Sequence, residues 1–293
     1  LMRPVVCAAD RSASFNRGST SKAKLPSFLR RVIMLNVFLT GATGGIGAAL
    51  AHEFAARGAT LGLVGRNAQK LQELAESLPG DPARYHPIVA DITDRDDMIR
   101  AARVFERLSG GTTIVIACAG ISHGVKTEFY EDLEVLENVY RINVFAMANT
   151  FHPFIAPMKA RGEGQLVGIG SVAGIRGLPG SEAYCASKSA VITYCESLRV
   201  ELKKVGLLVQ TICPGFVRTP LVAQNPYKMP FLMEPEDFAK VCVETILARK
   251  TYAVIPWQMG VLAKILRLLP NWLFDRILAK RKQKPRLQKK PEE

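Results

Sequence analysis

Seven short apolar runs, rich in β-branched residues and free of charge, recur along this chain and constrain its fold more than any other feature. They are NVFLT (36–40), TLGLV (60–64), PIVA (87–90), TIVIAC (113–118), QLVGIG (165–170), LLVQTI (207–212) and YAVI (252–255). Such runs read as strands buried on both faces. Longer segments of helical pattern separate them, at 46–57, 68–78, 94–108, 130–160, 182–204 and 235–248. The alternation predicts an α/β protein. Its core would be a doubly wound parallel sheet of about seven strands with helices on both faces, taking ligands at the carboxyl ends of its strands.

With 293 residues, 48% of them apolar, the chain can bury a substantial core. Its net charge of +13 suggests nucleic acid until the charge is located. Residues 1–33 carry +6 and residues 276–293 another +6, which leaves about +1 for the 242 residues between them. The basicity therefore belongs to the ends, and nucleic-acid binding is not expected. Six scattered cysteines (Cys7, Cys118, Cys185, Cys195, Cys213, Cys242) show no C-x-x-C spacing and read as reduced thiols of a cytoplasmic protein. Four dispersed histidines give no metal-ligand pair, so no metal is expected. Residues 1–33 lack the apolar stretch of a secretory signal. They are expected to be a disordered extension or a mis-assigned start, with a Ser- and Arg-rich transit peptide as the competing reading.

The first run leads into TGATGGIG (Thr40–Gly47) and then into an amphipathic helix. Small residues suit a sharp strand-to-helix turn, where a Cβ would keep a pyrophosphate from the backbone N–H groups at the helix N-terminus. Gly41 would sit in the turn, Gly45 against the phosphates and Gly47 where helix meets sheet, with Thr43 and Ile46 beside them. The octapeptide fits both T-G-x-x-x-G-x-G and T-G-x-x-G-x-x-G. A dinucleotide site of this Rossmann type usually ends its second strand with an acid for the ribose hydroxyls. Here Arg66 stands there, in LGLVGRN. A guanidinium pairs with a 2′-phosphate, which predicts NADP(H) over NAD(H).

A strand end at Ser171 precedes a helix carrying Tyr184 and Lys188. Tyr and Lys at i, i+4 share a helix face, and a nearby ammonium is expected to lower the phenol pKa from about 10 toward working pH. Tyr184 then becomes a candidate general acid for a carbonyl oxygen, with Ser171 a hydrogen-bond donor to the same atom.

These motifs, together with ADIT (Asp91, Ile92), ACAG (Ala117–Gly120), YRINV (Asn143), YCASK and PGFVRT (Pro214–Thr219), resemble those of the classical short-chain dehydrogenase/reductase family over residues 35–255. The resemblance implies a single-domain fold in which Tyr184 is the proton donor, Lys188 binds the nicotinamide ribose and tunes Tyr184, Ser171 holds the substrate oxygen and Asn143 positions a relay water. It also implies that Asp91 and Ile92 flank the adenine, that Ala119 and Gly120 lie along the cofactor, and that Pro214, Gly215, Val217 and Thr219 face the nicotinamide. A homodimer or homotetramer is implied as well. The family usually has Asn-Asn-Ala-Gly where this chain has Ala117-Cys118-Ala119-Gly120, which puts hydrogen bonds that stabilise the central sheet in doubt. The second glycine spacing belongs to an extended branch with a larger C-terminal domain. Only about 75 residues follow PGFVRT, which favours Gly45 and Gly47 as the working pair.

The resemblance implies that the region of Met229, Phe231, Leu232 and Met233 folds over the substrate as a lid, where these residues would line a pocket for a hydrophobic carbonyl compound or pack the lid onto the domain. From Pro256 onward, two short amphipathic segments meet at Pro270 and a basic end follows. This tail (256–293) either lies in an anionic membrane interface on the inner face, or packs as a helix followed by a solvated basic end. The expected activity is NADP(H)-linked interconversion of a ketone or aldehyde and an alcohol. The alternatives are a non-catalytic NADP-binding regulator and, disfavoured by length, a sugar-nucleotide epimerase or dehydratase.

Overall fold

The computed structural model describes residues 35–287, so the expectations for residues 1–33 and the last six residues lie outside it. The described residues, 35–287, belong to one compact unit. The strands are β1 (Asn36–Thr40), β2 (Thr60–Gly65), β3 (Tyr85–Val89), β4 (Ile114–Ala117), β5 (Gly164–Ile169), β6 (Leu207–Pro214) and β7 (Tyr252–Ile255). They form one parallel sheet in the order β3-β2-β1-β4-β5-β6-β7. The helices between them are α1 (Gly45–Ala56), α2 (Ala68–Ser77), α3 (Arg95–Ser109), α4 (Tyr130–Tyr140), α5 (Ala146–Arg161), α6 (Glu182–Lys203), α7 (Pro220–Ala223) and α8 (Pro235–Leu247).

Alternation within β1 divides the core in two. Val37 and Leu39 face a cluster with Leu50 and Phe54 of α1, Leu71 of α2 and Phe238 of α8. Phe38 faces the opposite cluster, with Phe105 of α3, Phe151 and Phe154 of α5 and Val191 of α6. Its ring stacks obliquely on Phe154 at 4.7 Å and on Phe105 at 5.8 Å. Helices therefore cover both faces, as the alternation predicted. The expectation that all seven runs are buried on both faces fails at the edges, where Val89 of β3 and Tyr252 of β7 are exposed, because an edge strand has only one neighbour to cover it. β4 pairs with β1 and β5 over its full length, so the sheet's centre is intact where Ala117 and Cys118 replace the usual amides.

The 130–160 pattern, read as one helix, is broken by a π-helical turn at Arg141–Phe145. After β7 the expected tail segments form α9 (Trp257–Leu268) and α10 (Asn271–Leu278), hinged at Pro270. Met259 of α9 lies where a Cβ on Gly215 would fall (2.8 Å), and Arg176 ties down the hinge. Its guanidinium donates to the Asn271 side chain (2.9 Å) and lies 4.3 Å from the Phe274 ring centroid.

Candidate active site

The chain reverses its direction of winding between β1 and β4, and the crevice between their carboxyl ends is where ligands of such sheets bind. Gly41 ends β1 at φ +67°, in the left-handed region, and a Cβ there would lie 2.7 Å from Ala119 Cα. A Cβ on Gly47 would lie 2.1 Å from the Gly41 carbonyl oxygen, so this glycine packs helix α1 against its own turn more than against the sheet. A Cβ on Gly45 would lie 2.5 Å from the Thr219 methyl group. Without a side chain there, the β6 loop closes on the α1 N-terminus, and Gly45 still lines the cleft. The N-cap Gly44 has no capping side chain, so the first N–H groups of α1 are available to an anion in the cleft.

Arg66 follows β2 and is exposed, with no ion-pair partner among the described residues. Asn67 caps α2 by accepting from the Lys70 N–H (2.9 Å), which turns the chain immediately after Arg66. At the end of β3 the Asp91 carboxylate accepts from the Thr93 N–H (2.9 Å) and hydroxyl (2.8 Å), while the Asp91 N–H donates to Asp97 (2.9 Å) and holds that carboxyl below the usual range. These contacts fix the Asp91-Ile92 corner.

Ser171 follows β5, where its Oγ accepts from the Ala173 N–H (3.1 Å) and its O–H remains a donor. Lys188 is 4% exposed and its Nζ donates to the Ile169 carbonyl (2.8 Å), which places the ammonium 5.9 Å from the Tyr184 ring centroid. The expected lowering of the Tyr184 pKa is not what the surroundings produce. Burial pushes the phenol up to about 12 against the pull of a hydrogen bond with Ser171, and burial brings Lys188 down to about 8. Desolvation outweighs the ammonium here because the phenolate would lose more hydration than a cation at this distance restores.

Asn143 lies in the π turn and is 1% exposed. Its Oδ1 accepts from the Ile121 N–H (2.9 Å) and its Nδ2 donates to the Ile121 carbonyl (3.0 Å) and to Ser187 Oγ (3.0 Å). Ser187 in turn donates to the Tyr184 carbonyl (2.9 Å). This amide clamps the β4 loop to helix α6; Ser187, the serine of YCASK, has no role legible in the sequence.

A cleft of about 690 Å³ brings together every residue assigned in the sequence to catalysis or the cofactor except Asn143, which stands behind its wall. The lining fits a dinucleotide: a turn of glycines, uncapped N–H groups on α1, Arg66, Asp91 and Ile92, and Ser171, Tyr184 and Lys188 all face one cleft. A second groove of about 810 Å³, beside Arg176 and β7, contains none of the glycine-turn residues.

At the substrate end, Met233 follows the packing alternative of the lid expectation rather than the pocket-lining one. None of Met229, Phe231, Leu232 and Met233 lines the cleft; Met233 packs on the core and Phe231 faces solvent, while Phe216, Leu221, Val222 and Tyr227 form the apolar wall. Their register is set by the Val217–Met233 bridge, which turns the lid's other face inward. The basic end beyond α10 is only partly solvated as far as residue 287: Lys282 is exposed, but Lys284 is buried and Arg281 and Arg286 are half-buried. It folds back, and Arg281 and Lys284 join the cleft wall. Arg286 pairs with the buried Asp132 (2.7 Å and 3.0 Å) and with Glu131 (2.9 Å), and stacks 3.5 Å from the Phe129 ring centroid. Spacing in the sequence gives no signal for this return.

A parallel, doubly wound sheet with this glycine turn and a Ser, Tyr and Lys at the ends of its fifth strand and sixth helix defines a class of nicotinamide-dinucleotide oxidoreductases. The short-chain dehydrogenase family model matches residues 35–229, and the chain belongs to the short-chain dehydrogenase/reductase family, whose members use NAD(P)(H). It is 36% identical over 237 residues (81% of this chain, 93% of the other) to a Myxococcus xanthus protein described as an uncharacterized oxidoreductase. It is 30% identical to human estradiol 17-beta-dehydrogenase 11 over 251 residues (85% and 82%), and 31% identical to human epidermal retinol dehydrogenase 2 over 256 residues (85% and 82%). Among solved structures, a short-chain dehydrogenase from Streptomyces avermitilis shares the fold with a TM-score of 0.69 at 22% identity, covering 84% of this chain and 95% of that one.

Proposed function

We propose that this protein interconverts an alcohol and a ketone or aldehyde with NADP(H). The observation that carries the reading is the convergence of Ser171, Tyr184 and Lys188 on one cleft with the glycine turn and Arg66. When bound, the nicotinamide supplies or accepts the hydride. The Ser171 hydroxyl, oriented by the bond it accepts from Ala173, donates to the substrate oxygen. Tyr184, protonated at neutral pH, gives its proton to that oxygen as charge develops there; in the reverse direction the phenolate removes the alcohol proton. Lys188, fixed by Ile169, lies 5.9 Å from the Tyr184 ring centroid, and Asn143 holds the Ile121 loop and α6 in register around it.

Arg66 supports the choice of NADP(H). It lines the cleft after β2, is unpaired among the described residues, and is free to pair with a 2′-phosphate. The apolar wall of Phe216, Leu221, Val222 and Tyr227 suits an apolar body, and relatives named for estradiol and retinol favour a hydrophobic alcohol or carbonyl compound. Self-association is supported by exposed Phe145 and Val200 on the helices around the site. Peripheral contact with a membrane is supported by Trp257, Leu268 and Trp272, exposed on α9 and α10, although no described helix is long and apolar enough to cross one.

The test is NADPH oxidation by the full chain against ketones and aldehydes spanning acyl chains, sterols, quinones and sugars. Tyr184→Phe should cut turnover by roughly 10²–10⁴-fold while NADPH still binds. Tight NADPH binding with no turnover in the parent protein would instead favour a regulator. Arg66→Glu should move the NADPH/NADH preference toward NADH by on the order of a hundredfold, the worth of a charge-assisted pair exchanged for a repulsive one. An unchanged ratio would refute the cofactor assignment.

A further inference from the structure

Residues 281–286 form a strap across the substrate end of the cleft. It is bolted down at two places: Arg286 on Asp132 and Glu131, and a bridge between Gly124 and Arg286 in which a Cβ on Gly124 would fall 2.4 Å from the Lys284 carbonyl oxygen. Held this way, Lys284 is only 7% exposed, and its ammonium spans the two lips of the cleft. It donates to Ser122 Oγ (2.9 Å) beyond β4 and to the Leu221 carbonyl (3.2 Å) beyond β6. Arg281 lies beside it, its guanidinium 4.2 Å from the Tyr227 ring centroid, and Tyr227 is near enough to Tyr184 to raise its pKa.

Both acceptors of Lys284 are neutral. The one carboxylate among the described cleft-lining residues is Asp91, taken up by Thr93, and the nearby Glu182 of α6 accepts from the Gly180 N–H (3.2 Å). A buried ammonium without a counter-charge is expensive, and burial here already pushes its pKa down. The acids of this region, Asp132 and Glu131, are spent on Arg286. Two cations with no acid between them, on a wall otherwise made of Phe216, Leu221, Val222 and Tyr227, describe a receptor for an amphiphile with an anionic head.

We infer that Lys284, with Arg281, is a substrate-specificity site: the substrate carries a carboxylate or phosphate group on an apolar body, and the strap supplies its counter-charge. This deepens the alcohol/carbonyl reading and rests on it. The third N–H of Lys284 and the Arg281 fork would bind the anionic oxygens, leaving the carbonyl or alcohol to Ser171 and Tyr184.

The experiment is calorimetric titration of the full chain, saturated with NADP+, with C6–C12 alkanoates, the matched alkyl phosphates and the matched 1-alkanols. At least one anionic series should bind about tenfold or more tightly than its alkanol, and which series does so identifies the head group. Lys284→Met should remove that advantage without changing alkanol binding, and Lys284→Arg should keep it. Alkanols binding as well as both anions would overturn the inference, as would an advantage that survives Lys284→Met. A variant that weakens NADPH itself would also overturn it, assigning Lys284 to the cofactor phosphates. Turnover of the ω-oxoalkanoate of the preferred length is scored separately: its absence, with anion selectivity intact, would refute the oxidoreductase reading and leave the Lys284 site standing.

Discussion

At the level of single residues, the site combines a phenol that resists ionisation with an ammonium that gives up its proton more easily than usual. Tyr184 is pushed up to about 12 and Lys188 down to about 8. The sign of the resulting pH dependence differs with direction. In the proposed reaction alcohol oxidation needs the phenolate, whose population grows as pH rises toward the Tyr184 pKa, so its kcat/KM should climb by up to about tenfold per unit between pH 7 and 9. Carbonyl reduction uses the protonated phenol, already present throughout that range, and its kcat/KM should not rise. Profiles in the two directions check this, and a reduction rate that climbs with pH would remove Tyr184 as the acid. The identities of Ser171, Tyr184 and Lys188 were legible from their spacing. The net sign of the Tyr184 shift was not, because burial is a property of everything packed around the ring.

At the level of elements, the strand-turn-helix unit of β1 and α1 tolerates no side chain at its tightest point. A Cβ on Gly47 would meet the Gly41 carbonyl oxygen at 2.1 Å, inside any normal contact and against backbone that cannot swing away. Gly47→Ala should therefore cost about 3 kcal/mol, at the upper end for overpacking, and lower the thermal midpoint by several degrees. NADPH protection against melting should fall with it. A variant as stable as the parent would mean that the turn relaxes freely. The need for small residues here could be read from TGATGGIG, but what each glycine faces could not. Gly45 makes room for Thr219, 174 residues later in the chain, and no local pattern signals a contact of that range. The same limit hid the π turn: the apolar spacing of 130–160 continues through it, and only Asn143 reaching Ile121 and Ser187 explains why the helix is interrupted there.

At the level of the whole molecule, the C-terminal segment serves two surfaces. Its helices α9 and α10 expose Trp257, Ile265, Leu268, Trp272 and Ile277, and the strap beyond them turns inward. If the exposed tryptophans contact lipid, Trp257→Ser with Trp272→Ser should reduce co-sedimentation with vesicles containing anionic lipid several-fold and leave turnover of a dispersed substrate unchanged. Equal partition of parent and variant would leave the protein off the membrane. The sequence by itself determined the sheet, the order of its strands and helices, the glycine turn and the Ser-Tyr-Lys set, because periodicity, small residues and i, i+4 spacing act over a few residues at a time. Only the tertiary structure decided which side of the lid faces the cleft, that desolvation dominates at Tyr184, and that Lys284 ends beside Ser122, 162 positions away. The physical reason is the same in each case. Burial and counter-charge depend on distant segments brought together by the fold, and a basic end reads as solvated until a buried carboxylate such as Asp132 holds it against the domain.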